Sequence, residues 1–338
     1  MTCGSDLLFG IITIANQPCV DLFGVVSTRA FYQTPKQGLY QGIQMSQSRI
    51  AMRLTGDQMM GRFAMNGVRS SGSGSYIGID GESLVWQIQL AEMNYLWQEN
   101  EHQIRFSGGI NEDFWVKTNN EIWSLREISW GVAERQNSQS RADTGMSLLY
   151  NYKMIQAGVR MSSGEGMRRF ERNTGLNTEG MFALSTSHLR LELYARDGST
   201  GPSFASNHRL GSRISTKISD VTVAVEGLKN YGIQGDASRT PFYGSAFLLY
   251  QPKEFPLWGY GRVDILHEKI DVHGRRFMTG IGIPLQKYTT TGRIWMGWEG
   301  ERLSEQMPLY AGDGTLLNTD TFFFQFTGNI STLFEEIK

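Results

Sequence analysis

The chain has 338 residues, with 32 Lys and Arg against 33 Asp and Glu and a formal net charge of -1. That balance leaves no electrostatic footprint for nucleic acid. Mean hydropathy is -0.31 and no eighteen consecutive residues stay apolar, so a bilayer-spanning helix is excluded and any crossing must be made by strands.

At the N-terminus a short apolar run, Leu7 to Ala15, ends in Thr13-x-Ala15, which suits signal peptidase, but no Lys or Arg precedes it. Residues 1–15 read as a truncated signal sequence or as a mature N-terminal segment. Residues 16–338 read as one domain, since the 8 prolines mark no linker. Asn16-Gln17-Pro18 before Cys19 is not a lipoprotein cleavage box. Cys3 and Cys19 are the two cysteines, too few for a thiolate metal cluster or a disulfide framework, and no metal or other cofactor is expected.

From Arg49 onward apolar and polar residues alternate, the pattern of strands with oil on one side and water on the other. Ile50, Met52 and Leu54 oppose Arg49, Ala51 and Arg53; Phe63 and Met65 oppose Arg62, Ala64 and Asn66; Ile104 and Phe106 oppose Arg105 and Ser107. Further along, Val159 and Met161 oppose Arg160, and Leu189, Leu191, Leu193 and Ala195 oppose Arg190, Glu192, Tyr194 and Arg196. Val221, Val223 and Val225 then oppose Thr222, Ala224 and Glu226; Val263 and Ile265 oppose Arg262 and Asp264; Ile294, Met296 and Trp298 oppose Arg293 and Glu299.

A soluble sandwich alternates too, but mid-strand arginines and segments of about ten residues favour a membrane wall. Short turns are expected at Gly56-Asp57, Gln98 to Glu101, Thr186-Ser187, Ser219-Asp220, Gln251 to Pro256 and Gln286 to Thr291. Long loops are expected at Ser70 to Glu82, Gly109 to Glu127, Gly164 to Gly175, Asp197 to Asn207, Asn230 to Thr240, Glu268 to Arg275 and Glu301 to Asp320. The expected fold class is therefore all-β: a closed antiparallel transmembrane barrel with short periplasmic turns and longer extracellular loops. At roughly 20 residues per strand and connection the length gives about sixteen strands, with eighteen as the upper count. Between Ile128 and Lys153 up and down strands do not sort cleanly.

In the last strand Phe322, Phe324, Phe326, Gly328, Ile330, Thr332 and Phe334 share a face opposite Gln325, Thr327, Asn329 and Ser331. Trp86, Trp97, Tyr152, Tyr250, Trp258, Tyr260, Tyr288 and Trp298, near strand ends, suit interfacial aromatic belts, and Met52, Met65 and Met161 suit lipid-facing packing.

An aromatic final strand closing on Phe334 resembles the C-terminal signal of bacterial outer-membrane barrels, which their assembly machinery reads, although Glu335-Glu336-Ile337-Lys338 follows it here. Asp21-Leu22-Phe23-Gly24, Ser48-Arg49-Ile50-Ala51-Met52-Arg53-Leu54-Thr55-Gly56 and Trp86 to Glu92 are similar to early strands of the general porins of Gram-negative bacteria. The resemblance implies an outer-membrane location, a homotrimer in lipid and lipopolysaccharide, and a water-filled channel for small polar solutes and ions. It also implies that the loop after the fifth strand folds into the lumen. That segment, Gly108 to Glu127, carries Glu112, Asp113 and Glu121 as candidate constriction acids.

By alternation Arg29, Arg49, Arg53, Arg62, Arg105, Arg160, Arg190, Arg196, Arg262 and Arg293 fall on the lumenal face, against the acids Glu192, Glu226, Asp264 and Glu299. This excess predicts a weak anion preference, because a narrow channel with low-dielectric walls focuses the field of its fixed charges. The same arginines could instead simply neutralise lumenal acids. Two other readings are a non-conducting barrel that anchors an envelope complex and, further off, a barrel enzyme. His102, His188, His208, His267 and His273 sit in no nucleophile motif, even though His273 lies near Asp271 and Arg275, and all five are expected at the surface. No catalytic residue is assigned.

Overall fold

The computed structural model describes residues 19–34, 40–70, 83–135, 141–164, 175–200, 205–232, 236–269, 272–285, 292–304 and 319–329. Sixteen antiparallel strands close into one barrel. In chain order the first five are β1 (Cys19–Thr34), β2 (Tyr40–Thr55), β3 (Met59–Ser70), β4 (Ser83–Glu99) and β5 (His102–Glu112). Two helices follow, α1 (Phe114–Trp123) and α2 (Val132–Arg135). Then come β6 (Ala142–Tyr152), β7 (Ile155–Ser162), β8 (Asn177–Ser185) and β9 (Leu189–Asp197). A two-stranded hairpin of β10 (Ser199–Thr200) and β11 (Ala205–Ser206) stands outside the barrel sheet. The wall resumes with β12 (His208–Ile218), β13 (Val221–Tyr231), β14 (Phe242–Tyr250), β15 (Trp258–Lys269), β16 (Val272–Pro284), β17 (Gly292–Leu303) and β18 (Thr319–Asn329).

Each strand pairs with the next, and β18 returns to β1, from Val25 opposite Asn329 to Thr34 opposite Asp320. Closure removes every free edge, the condition for sheet inside hydrocarbon, where an unpaired backbone group costs several kcal/mol. Among the described residues no helix is long and apolar enough to cross a membrane.

The period of two sets the faces. Along β9, Leu189, Leu191, Leu193 and Ala195 are exposed while Glu192, Tyr194 and Arg196 are buried. Along β18, Phe322, Phe324 and Phe326 stand exposed and Phe323, Gln325 and Thr327 point inward. A barrel that exposes its large apolar side chains and buries its charged ones inverts the soluble pattern, and lipid on the outside resolves the inversion.

Three sequence expectations need correction, and one loop gains detail. The stretch from Ile128 that would not sort into strands contributes a single strand, β6; the chain before it belongs to the long β5–β6 connection, which runs from Asp113 to Arg141 rather than ending at Glu127. Glu268 to Arg275 is no long loop: the ladder continues through His267 opposite His273 to Lys269 opposite Val272. The connection from Asp197 to Asn207 carries the small β10–β11 hairpin. Trp258 and Tyr260 are not belt residues, because both pack inside the barrel beside Trp295. The expected turn at Gln286 to Thr291, Tyr288, residues 1–15, and Ile330 to Lys338 lie outside the described residues.

Candidate functional site

The β5–β6 connection enters the barrel, and its sequence explains how. Gly109 adopts φ +111°, where a Cβ would stand 2.3 Å from the Ala91 carbonyl oxygen, so only glycine lets β5 leave its partner here. Asp113 then caps α1, accepting hydrogen bonds from Trp115 N at 2.9 Å and Val116 N at 3.2 Å. Ser124 ends the helix in the left-handed region, its N–H donating to Asn120 O at 3.0 Å.

One face of α1 is held by the far wall. Trp115 lies under the Arg213 guanidinium at 4.1 Å, and Arg213 also donates to Trp115 O. Gly211 beneath it has no room for more, since a Cβ would meet the indole at 2.8 Å. Asn119 donates to both Glu226 carboxylate oxygens at 2.9 and 2.8 Å. Trp123 is wholly buried against Phe247 and Tyr260, with Arg262 over its ring at 5.0 Å. Beyond the helix, Arg29 donates to Ile128 O, Gln325 donates to Glu127 O, Arg276 donates to Ser129 Oγ, and Arg293 pairs with Glu127 at 2.9 Å. The loop is thus tied to β12–β18 and β1. Desolvated cation–π contacts of this kind are worth about 2 kcal/mol each.

The opposite face of α1 presents Lys117 and Glu121, which interact electrostatically with Arg62 and Arg105 of the β3–β5 wall. Burial and the neighbouring Arg105 guanidinium bring the Lys117 ammonium down to about 8.

All ten arginines singled out in the sequence point inside the barrel, but they are not equivalent. Seven pair with acids. Arg53 meets Asp21 at 2.7 Å, Arg62 meets Glu92 at 2.5 Å, and Arg160 meets Glu179 at 2.5 Å. Arg190 meets Glu192 at 3.1 Å, Arg196 meets Glu179 at 3.5 Å, Arg262 meets Asp264 at 2.7 Å, and Arg293 meets Glu127. Arg29 is held by Gln325 and the Ile128 carbonyl and stacks on Phe323. The side chains of Arg49 and Arg105 make no ion pair or hydrogen bond among the described residues, and neither does that of Lys117.

The candidate acids divide in the same way. Glu112 lies between Arg141 at 2.9 Å and Arg62 at 3.5 Å. Asp113 is buried as the helix cap and accepts from the Tyr194 hydroxyl at 3.2 Å, with Arg196 at 3.8 Å. Glu121 is the exposed one. Glu192 and Glu226 share Arg213 at 2.9 and 2.7 Å, while Asp264 and Glu299 share Arg276 at 3.7 and 2.6 Å. Sequence reading missed Arg213, Arg276, Arg141, Glu92, Glu179 and Lys117. Alternation over His208 to Ile218 would have found Arg213; Arg276 directly follows the segment Glu268 to Arg275 expected as a loop, so no alternation was read across it.

No family model matches the chain, and no curated protein does. Among solved structures its neighbours are bacterial outer-membrane porins. The anion-selective porin from Comamonas acidovorans superposes with a TM-score of 0.67 at 12% identity over 93% of this chain and 100% of that one. OmpF of Salmonella typhi, in a complex with daunomycin, gives 0.69 at 12% identity over 92% and 97%. OmpT, an outer-membrane protein of Vibrio cholerae in a trimer form, gives 0.59 at 10% identity over 92% and 99%. At these identities the likeness is one of fold: this chain is a porin-type sixteen-strand barrel.

Proposed function

We propose that the protein is an outer-membrane pore through which small polar solutes and ions diffuse passively, with a weak preference for anions. A barrel with an oil-facing exterior and a charged interior, narrowed by an inserted loop, supports the channel reading. The preference rests on one observation: Arg49 and Arg105 line the wall that the loop leaves uncovered, Lys117 faces that wall from α1, and none of the three has an ion pair among the described residues. Paired charges cancel at a distance, whereas three cations without a direct ion pair raise the potential of the constriction. The remaining arginines serve mainly to seat the loop, so charge neutralisation and selectivity are assigned to different members of one set.

In this reading Glu121, beside Lys117 on the same face of α1, faces Arg105 and Arg62 across the opening and supplies the acidic side of a transverse field. The Comamonas acidovorans porin, an anion-selective one, agrees in direction. In the same reading residues 16–338 are assigned to one barrel domain, and residues 1–15 to a truncated signal sequence or a mature N-terminal segment. A homotrimer in outer-membrane lipid, delivered by the barrel assembly machinery, is the assembly we assign, and we assign no catalytic role.

The test is vesicle permeability. Vesicles containing the protein should pass chloride faster than potassium and admit small neutral sugars. Arg49→Gln with Arg105→Gln should bring the chloride and potassium rates together while leaving sugar entry intact. Vesicles as tight as protein-free ones would overturn the pore, and an unchanged ion ratio in the double variant would overturn the assignment of the cations.

A further inference from the structure

One aromatic side chain of the inserted loop is left open instead of serving as an anchor. Trp115 and Trp123 are buried against the wall, but Trp130, between α1 and α2, keeps 38% of its surface exposed. An indole open to water on a segment that lies inside the barrel is apolar area left unused, and it offers a face or edge on which another ring can pack.

The surroundings of this indole are basic. Arg126 lies over the ring, its guanidinium carbon 5.3 Å from the centroid. That guanidinium is fixed in place, because it donates to both Glu134 carboxylate oxygens at 2.5 Å and to Asn120 Oδ1 at 3.1 Å. Arg49 of β2 and Arg141 stand near enough to Arg126 for the guanidiniums to repel one another. Arg141 is engaged by Glu112 at 2.9 Å and donates to Gln89 Oε1 at 2.6 Å. Three guanidiniums, Arg49, Arg126 and Arg141, thus meet two carboxylates, Glu112 and Glu134, and Glu112 is shared with Arg62. Arg49 carries the excess.

Two donors in this cluster have nothing to donate to. Arg49 Nε and Asn120 Nδ2 are buried atoms without a hydrogen-bond partner among the described residues, and a buried donor without an acceptor is destabilising. The acceptors around them are already engaged: Glu134 and Asn120 Oδ1 by Arg126, Glu112 and Gln89 by Arg141. Open donors, one surplus positive charge and an exposed ring together call for a ligand that brings acceptors, a negative charge and an apolar face.

From this juxtaposition we propose that the lumen holds a site for aromatic carboxylates, the ring packed on Trp130 and the carboxylate received by Arg49 and Asn120. A sugar phosphate matches the charge but not the rest, since its hydroxyls also donate and would find these acceptors occupied. The proposal rests on the pore reading for access from water, and narrows its anions to one class.

The experiment titrates detergent-purified whole protein, by ligand-observed NMR, with benzoate, acetate, benzyl alcohol and glucose 6-phosphate. Benzoate should bind tightest. Acetate lacks the ring and benzyl alcohol the charge, and each should bind roughly tenfold more weakly. Trp130→Ala and Arg49→Gln should each weaken benzoate binding by about tenfold, whereas Trp130→Phe, which keeps a ring, should stay within about threefold of the native protein. Retained β-sheet circular dichroism checks that the variants fold, and the Trp130→Phe comparison holds even where Trp130→Ala does not.

Benzyl alcohol binding as tightly as benzoate, glucose 6-phosphate binding more tightly, or benzoate binding that neither Trp130 nor Arg49 variants move would overturn the site. Current recorded across a planar bilayer with the same preparation separates the two readings. Benzoate bound by a silent barrel defeats the pore alone, and chloride-preferring conduction without benzoate binding defeats the site alone.

Discussion

At the scale of single residues, identical chemistry serves different ends according to its partner. Arg213, shared between Glu192 and Glu226 and stacked on Trp115, is a fastening; Arg105, with no direct ion pair among the described residues, is a source of potential. Lys117 adds a titrating charge. Because its folded-state value is lowered to about 8, it is cationic at pH 7 and neutral at pH 9, so raising the pH removes one positive charge from the constriction. The chloride-to-potassium permeability ratio, read from reversal potentials in a salt gradient, should fall between pH 7 and 9, and Lys117→Gln should show the lower ratio at both. A ratio indifferent to pH in the native protein would remove Lys117 from the constriction. Asp113 is predicted to act on structure instead: Asp113→Ala removes the cap of α1 at a cost of about 1 kcal/mol and leaves Arg196 with one acid fewer. The expected readout is a noisier open channel with little change in ion preference.

The inserted loop shows how elements depend on both faces of the wall. Trp123 is its deepest anchor, and Trp123→Ala should loosen the helix by about 3–5 kcal/mol of lost packing. Single-channel conductance should then rise as the loop leaves the lumen, whereas an unchanged conductance would mean that the loop does not narrow the opening. Strand elements were legible in the sequence wherever one face met lipid and the other met water, as in β9, where Leu191 and Glu192 alternate, and in β18, where Phe324 and Gln325 do. Legibility failed where that contrast was lost. Phe114, Trp115 and Trp123 are buried between α1 and the wall, and the wall residues packed with them are apolar on the inside, Tyr194 and Leu228 in the cluster of Phe114 and Trp115, Phe247 and Tyr260 in that of Trp123. Trp258 and Tyr260 were therefore assigned to the membrane interface by a rule that assumes a polar interior. The β15–β16 hairpin was misread for the complementary reason: His267, His273 and Arg275 place polar groups on the outer face, where alternation expects oil.

For the molecule as a whole, the account depends on which face meets hydrocarbon. An outward charge should be costly and an inward one tolerated. Leu248→Arg, on the exposed face of β14, is expected to destabilise the barrel in lipid vesicles by about 2–4 kcal/mol, while Ser147→Arg, on the inner face of β6, should cost under about 1 kcal/mol. Equilibrium unfolding by guanidinium in vesicles compares them, and equal costs would contradict the assignment of faces. The division of the inner charges was only partly visible beforehand: alternation located Arg49, Arg105 and their eight counterparts, but pairing depends on neighbours brought together across strands, such as Arg160 with Glu179 or Arg293 with Glu127, and no spacing along the chain records it.

The most direct measurement is a planar-bilayer recording of the purified protein across a gradient of potassium chloride. Discrete ohmic steps with a reversal potential of the sign for chloride are the predicted result. A silent bilayer, with the protein inserted and its β structure intact, would contradict the open lumen on which the functional reading stands.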